Sequence, residues 1–162
     1  MISKAMEKAL NGQINKETYS AYLYFAMAAY FDSENLEGMA GFMKVQAQEE
    51  MGHAMKFYNY INEQGGRVTL DAIDKPQASY KNPLEIFQLS LKHEKFITDS
   101  INKLMDQAIK ENDHATKEFL HWFVKEQVEE EDHMAKIVSK LERVGESGQG
   151  LLIMDAQLGS RK

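Results

Sequence analysis

The feature that most constrains this fold is the spacing of the points at which a helix has to end. Helix-favouring residues dominate the chain, which contains only two prolines. Short turn signals occur at residues 32–35 and 111–113, Gly145 ends the last long segment, and one long connection covers residues 64–81. This spacing predicts four helices of about 28 to 32 residues, each about 45 Å long at 1.5 Å per residue.

The long middle connection determines how the four helices are arranged. The two tight turns make helix 1 antiparallel to helix 2, and helix 3 antiparallel to helix 4. Residues 64–81 can extend over about 60 Å, which is enough to run the length of a helix. The sequence therefore predicts an all-α protein, a four-helix bundle with one long crossover over about residues 4–144. A short fifth helix is expected over about residues 147–159, and the chain 1–162 is interpreted as a single domain.

Charge and composition exclude several classes of function. The formal net charge of −6 argues against a nucleic-acid partner, which would require a concentrated basic surface. The absence of cysteine excludes disulfides, thiolate zinc sites and cysteine-bound iron–sulfur clusters, and it fits a reducing compartment. The N-terminus lacks an apolar signal segment, and the longest apolar run, residues 21–31, is too short to span a bilayer. We therefore expect a cytoplasmic protein without a membrane partner.

Each predicted helix carries an inward stripe, spaced by alternating steps of three and four residues, that is mostly apolar. A glutamate interrupts every stripe near its middle, and these four residues are Glu17, Glu50, Glu94 and Glu130. Folding the chain at residue 33 brings the first two to one level, and folding it at residue 112 does the same for the other two. The sequence thus predicts one buried layer of carboxylates.

The charge of this layer points to metal binding. A buried carboxylate costs several kcal/mol unless it is paired, and no lysine or arginine lies on any of the four stripes. Protons or metal ions must therefore compensate the charge. Two divalent cations would balance four carboxylates, with His53 and Gln127 as neutral ligands. One histidine among oxygen ligands suits iron or manganese, and a purely structural polar network is the alternative.

The segment 124-VKEQVEEEDH-133 contains two overlapping candidates for a ligand pair at helical spacing. At about 100° per residue, Gln127 and Glu130 lie within roughly 40° of the stripe, whereas His133 lies roughly 80° from it. The 33-residue step from Glu17 to Glu50 also recurs from Glu94 to Gln127. We therefore predict that Gln127 and Glu130 face inward and that His133 does not.

Several residues near the layer have two open interpretations. Three acids beside the stripes form either an ordinary solvated face or a third, looser cation site: Glu49, Glu126 and Glu129. Tyr24 either packs only in the core, or it is placed to donate a hydrogen bond to a ligand or to supply an electron. Met51 points away from the stripe, toward a predicted dimer face.

Four parts of the sequence carry a resemblance to the bacterial non-haem ferritins, and the likeness spans essentially the whole chain. They are 16-KETYSAYLYFAM-27, 48-QEEMGHAMKFY-58, Glu94 and 126-EQVEEE-131. The resemblance implies a hollow shell of 24 identical subunits, each with a ferroxidase centre that oxidises Fe²⁺ with oxygen or peroxide. It also implies that ferric mineral collects in the cavity.

The resemblance further implies a role for each residue. The first iron would be held by Glu17, Glu50 and His53. The second would be completed by Glu94, Gln127 and Glu130, with Glu50 bridging. A third iron site would use Glu49, Glu126 and Glu129 together with Glu130, and Tyr24 matches a tyrosine near the centre.

Other classes differ at identifiable positions. A haem-containing bacterioferritin would have glutamate at position 127 and histidine at 130, so haem is not expected, although Met51 matches its haem-ligand position. A non-storage di-iron peroxidase usually adds a cysteine-ligated iron domain. A structural helical bundle without redox activity is the alternative from a different class of function.

A large closed homo-oligomer is expected because an apolar tail would otherwise be exposed: Leu151, Leu152, Met154 and Leu158.

Overall fold

The computed structural model describes residues 1–161, and five α-helices account for most of them. In chain order these are α1 (Lys4–Ser33), α2 (Glu37–Glu63), α3 (Pro83–Lys110), α4 (His114–Val144) and α5 (Gly148–Leu158). The main pairs are α1 with α2 and α3 with α4, and α5 packs against α2 and α4. The predicted all-α bundle with a long crossover and a short fifth helix is confirmed.

Side-chain caps explain why four of the helices begin where they do. Each cap accepts a hydrogen bond from the backbone N–H three residues further on, at 2.8–3.0 Å, and the caps are Ser3, Asn82, Asp113 and Ser147. A cap of this kind stabilises a helix by about 1 kcal/mol. The two tight turns each place an asparagine in the left-handed region, Asn35 at φ 58° and Asn112 at φ 55°, a conformation that asparagine tolerates better than most residues. These turns make the paired helices antiparallel.

The crossover between α2 and α3 is fastened along α1 by two asparagines. Asn11 donates to the carbonyl of Arg67 at 2.9 Å and accepts from the backbone N–H of Thr69 at 2.8 Å. Asn15 donates to the carbonyl of Ala72 at 2.9 Å. Because these bonds satisfy backbone groups of a segment without regular structure, the crossover follows the bundle and does not extend into solvent.

The apolar core consists of two separate clusters. One includes Tyr24, Phe31, Phe42 and Phe87, together with residues of α5. The other includes Leu10, Phe57, Ile101, Leu120 and Phe123. Most of the buried polar side chains lie along the helices between these clusters: Gln13, Glu17, Ser20, Gln46, Glu50, His53, Glu94, Ser100, Gln127 and Glu130. A polar layer therefore crosses the bundle at mid-height.

The fifth helix is held closely against α2. Met154 and Leu158 are buried, and the Asp155 carboxylate accepts a hydrogen bond from the backbone N–H of Met39 at 2.8 Å. The helices approach so closely at Gly38 that a Cβ there would lie 1.9 Å from the Asp155 carbonyl oxygen. Only glycine permits this contact. None of the described helices is long and apolar enough to cross a membrane.

Candidate metal centre

The polar layer contains one compact group of candidate ligands, Glu17, Glu50 and His53. Their ligand atoms lie within 4.8 Å of one another, and all three residues are buried. His53 Nδ1 is 3.1 Å from Glu50 Oε2 and 3.8 Å from Glu17 Oε2. The second of these oxygens, Glu17 Oε2, is buried and has no hydrogen-bond partner among the described residues. A buried carboxylate oxygen without a donor is costly, and a bound cation would satisfy it.

A hydrogen-bonded chain holds the other oxygen of Glu17. Gln13 Nε2 donates to Glu17 Oε1 at 2.8 Å, and Gln13 Oε1 accepts from the Ser100 hydroxyl at 2.6 Å. Lys16 in turn donates to Ser100 at 2.7 Å. The chain fixes the rotamer of Glu17 and leaves its second oxygen directed at His53.

Glu94 is held from two sides. The Tyr24 hydroxyl donates to Glu94 Oε1. Gln127 Nε2 lies 3.1 Å from both Glu94 Oε2 and the Glu94 carbonyl oxygen, and 3.3 Å from the Thr98 hydroxyl. Because the amide nitrogen of Gln127 is engaged by Glu94, its carbonyl oxygen is the atom that is free to meet a cation.

Gln46 connects carboxylates of two helices. Its Nε2 donates to Glu130 Oε2 at 2.8 Å and lies 3.3 Å from Glu50 Oε1. Sequence reasoning assigned no role to Gln46 or to Gln13. Both are buried amides one helical turn before a candidate ligand, and that spacing is the signal that would have identified them.

The register of α4 is clear from burial. Gln127 is 3% exposed and Glu130 is 6% exposed, whereas His133 is exposed and contacts Phe42 edge-on, with ring centroids 5.5 Å apart. The inward pair is thus Gln127 and Glu130, in the orientation that the spacing predicted. Their role as ligands stays a prediction.

The three acids beside the stripes have different surroundings. Glu126 Oε1 lies 3.9 Å from His53 Nε2, so it is next to the centre. Glu129 is exposed. Glu49 forms an ion pair with Arg161, at 2.6 Å from Nη2. Arg161 was absent from the sequence argument, which counted only charges on the four stripes.

The pKa values of three buried groups indicate how bound protons can offset the negative charge of the carboxylate layer. Burial raises the pKa of Glu50 well above its usual value. Burial, together with the nearby Glu130 carboxylate, raises the pKa of Glu94 to about 7. Burial alone would lower the pKa of His53, but the adjacent Glu17 and Glu50 carboxylates outweigh it and raise that pKa to about 11. These raised pKa values favour bound protons, which offset part of the negative charge of the layer.

The donor set fits hard or borderline divalent cations. It offers carboxylates from four helices, one imidazole and one amide oxygen, and one oxygen of Glu17 has no hydrogen-bond donor among the residues that the structure describes. Such ligands favour iron or manganese over soft metals. Because His53 and the raised-pKa glutamates must lose protons to bind metal, binding is expected to release protons.

The chain is similar in sequence to known proteins over most of its length. The sequence matches the ferritin family, described as a Ferritin-like domain, over residues 7–144. It is 42% identical to a bacterial non-heme ferritin of Bacteroides fragilis, over 99% of this chain and 100% of that protein. It is 41% identical to a bacterial non-heme ferritin of Campylobacter jejuni, over 96% of this chain and 93% of that protein.

The fold agrees equally closely with a solved structure. A crystal structure described as an open-pore ferritin from the hyperthermophilic archaeon Archaeoglobus fulgidus superposes with a TM-score of 0.99 and 47% identity. The match covers 100% of both chains. With its family match, its full-length relatives and its bundle geometry in agreement, the chain belongs to the ferritin family.

Proposed function

We propose that this protein stores iron and has ferroxidase activity, oxidising Fe²⁺ with oxygen or peroxide at a two-metal centre inside each subunit. The observation that carries the proposal is the buried layer of four carboxylates, in which Glu17 Oε2 has no hydrogen-bond donor within residues 1–161. Two divalent ions would neutralise the layer, and no purely structural role accounts for an unsatisfied carboxylate at that position. Each ferrous ion would lose one electron to the oxidant.

The proposed ligand roles follow the contacts around Glu50. Glu17, Glu50 and His53 would bind the first iron, and Glu94, Gln127 and Glu130 would complete the second. Glu50 is suited to a bridging position because His53 lies near one of its oxygens and Gln46 near the other. Tyr24 would hold Glu94 in place and lies close enough to donate an electron. The oxygens of Glu49, Glu126 and Glu129, together with Glu130, would form a third, weaker site.

The storage role requires an assembled shell, proposed here as 24 subunits enclosing a ferric mineral in the cytoplasm. The described surface supports an assembly because apolar side chains are exposed on two of its faces. One face carries Met51, Met55, Tyr58, Leu70 and Ile73, and the other carries Leu152 and Ile153. Faces of this kind are normally covered by a partner. Light scattering should show a large closed particle, and a monomer or isolated dimer would contradict storage in a shell.

Aerobic titration with Fe²⁺, recorded as absorbance together with the mass of the soluble particle, tests the activity. We expect a fast phase that saturates near two irons per subunit, a number set by the charge of the layer, followed by slower mineral growth. Glu94→Ala should abolish the fast phase. Glu118→Ala, which removes an exposed carboxylate of α4, should leave it unchanged. Oxidation no faster than in buffer would reject the proposal and favour a structural bundle.

A further inference from the structure

The C-terminal segment places a positive charge against the edge of the candidate centre. Arg161 Nη2 donates to Glu49 Oε2 at 2.6 Å, and Nη1 donates to Gln46 Oε1 at 2.7 Å. The guanidinium also lies over the Phe42 ring, 4.4 Å from its centroid, in a favourable cation–π position. The Arg161 side chain is 17% exposed and that of Glu49 is 41% exposed. The contact is therefore a half-buried and specific one.

Helix α5 determines that Arg161 reaches this point. The Asp155 carboxylate fixes α5 to the N-terminus of α2, and the backbones touch where Gly159 approaches Gly38. Arg161 follows two residues later, so a small movement of α5 would withdraw the guanidinium. The position of the charge depends on the docking of one short helix.

The same contact extends to the metal layer through Gln46. Arg161 holds Gln46 Oε1, so the amide must direct its Nε2 inward, where it donates to Glu130 at 2.8 Å. Glu130 is the residue that the proposed second and third iron positions share. A single side chain thus engages Glu49 directly and Glu130 through one intermediate.

We propose that Arg161 is an intramolecular cation that competes with metal for the third site and must leave Glu49 before that site can fill. The inference rests on the proposed function. Arg161 engages Glu49 Oε2, and a guanidinium and a divalent cation at the same carboxylate repel each other, so each weakens binding of the other. Partly exposed ion pairs are weak, so a metal ion can displace Arg161. The C-terminal segment therefore lowers the affinity of the third site for metal.

Zn²⁺ binding to the assembled protein, measured by calorimetry, tests this without any redox step. We expect two tight sites per subunit and one weaker site. Arg161→Gln should tighten the weaker site by about fivefold, which corresponds to about 1 kcal/mol, and should leave the tight sites in place. Arg143→Gln, which removes an exposed arginine near the end of α4, is the matched control and should change nothing.

A second variant, Glu49→Gln, distinguishes competition between Arg161 and metal at Glu49 from a general effect of removing a positive charge. In Glu49→Gln protein the carboxylate at issue is absent, so adding Arg161→Gln should no longer tighten the weaker site. By reciprocity, Zn²⁺ at the third site should also speed hydrogen exchange in residues 148–161 of the unmutated protein. If the weaker site bound Zn²⁺ equally well with and without Arg161, the inference would be overturned. The two tight sites would in that case still support the proposed function. Absence of the tight sites would overturn both.

Discussion

At the scale of single residues, Glu17 shows how the layer is prepared for a cation. One of its oxygens accepts a hydrogen bond from Gln13, and the other faces His53 and has no donor in the described part of the chain. Sequence spacing was enough to place Glu17 in a polar layer, because burial follows the helical period. It was not enough to identify Gln13, Gln46 or Arg161 as the groups that orient the ligands. Their partners come from other turns and helices, so the contacts depend on tertiary packing.

The register of α4 predicts different effects for two neighbouring variants. Glu130→Ala should slow the fast phase of Fe²⁺ oxidation by more than about tenfold, because loss of a group that orients a metal ligand already costs about 10- to 100-fold. His133→Ala should change the rate little, since that ring is exposed and contacts Phe42. Gln127→Glu should bind metal more tightly and alter turnover without abolishing it. Stopped-flow absorbance, recorded at the same iron-to-subunit ratio on assembled protein, distinguishes the three variants. If Glu130→Ala and His133→Ala lost the same fraction of the oxidation rate, the assigned ligand pair would be wrong.

The raised pKa values predict a pH dependence of stability in the metal-free protein. The pKa of Glu94 rises from 4.5 to about 7 on folding, so its contribution is complete below pH 4.5 and lost as pH rises through about 7. The pKa of His53 rises from 6.5 to about 11, so its contribution is complete below pH 6.5 and is lost progressively as the pH rises toward about 11. The denaturant concentration at the midpoint of unfolding, measured in EDTA, should therefore be lower at pH 8 than at pH 5.

Glu94→Gln is the control for this dependence, because glutamine cannot lose a proton. The variant should show a smaller fall over the same pH range, and added Zn²⁺ should oppose the fall in the unmutated protein. An unchanged slope in the variant would mean that Glu94 does not carry the effect.

At the scale of helices, caps and turns made most of the fold readable from the sequence. Asn82 followed by Pro83 marks the start of α3, and Asn112 marks the turn before α4. The docking of α5 was less predictable, because it depends on a backbone contact between Gly38 and Asp155 that is distant in sequence. An apolar pattern predicts that a short helix exists, but it does not identify the surface against which that helix packs.

The Gly38 contact gives a prediction at this scale. Gly38→Ala should displace α5, lower the free energy of unfolding by about 1–3 kcal/mol through overpacking, and tighten the weaker Zn²⁺ site as Arg161→Gln does. Gly41→Ala lies on the same helix where a Cβ would meet nothing within 4 Å, so it should be neutral or slightly stabilising. Denaturation and calorimetry on both variants make the comparison. Equal behaviour of the two variants would show that α5 does not depend on close approach at Gly38.

At the scale of the whole molecule, a polar layer separates two apolar clusters that stabilise the bundle from either end. Tyr24, Phe31 and Phe87 belong to one cluster, and Phe57 and Phe123 to the other. This division allows the centre to hold charged groups that a continuous apolar core would exclude. The long crossover and α5 pack on the outside of the bundle. The exposed apolar faces are surfaces on which the proposed subunit contacts could form.

The most direct test of the central claim is anomalous diffraction from crystals of the assembled protein soaked with Fe²⁺ in the absence of oxygen. The account predicts two iron peaks in each subunit, one among Glu17, Glu50 and His53 and the other among Glu94, Gln127 and Glu130, with Glu50 between them. Crystals of Glu94→Ala should lose the second peak. Iron found only at surface carboxylates, with none in the buried layer, would contradict the account.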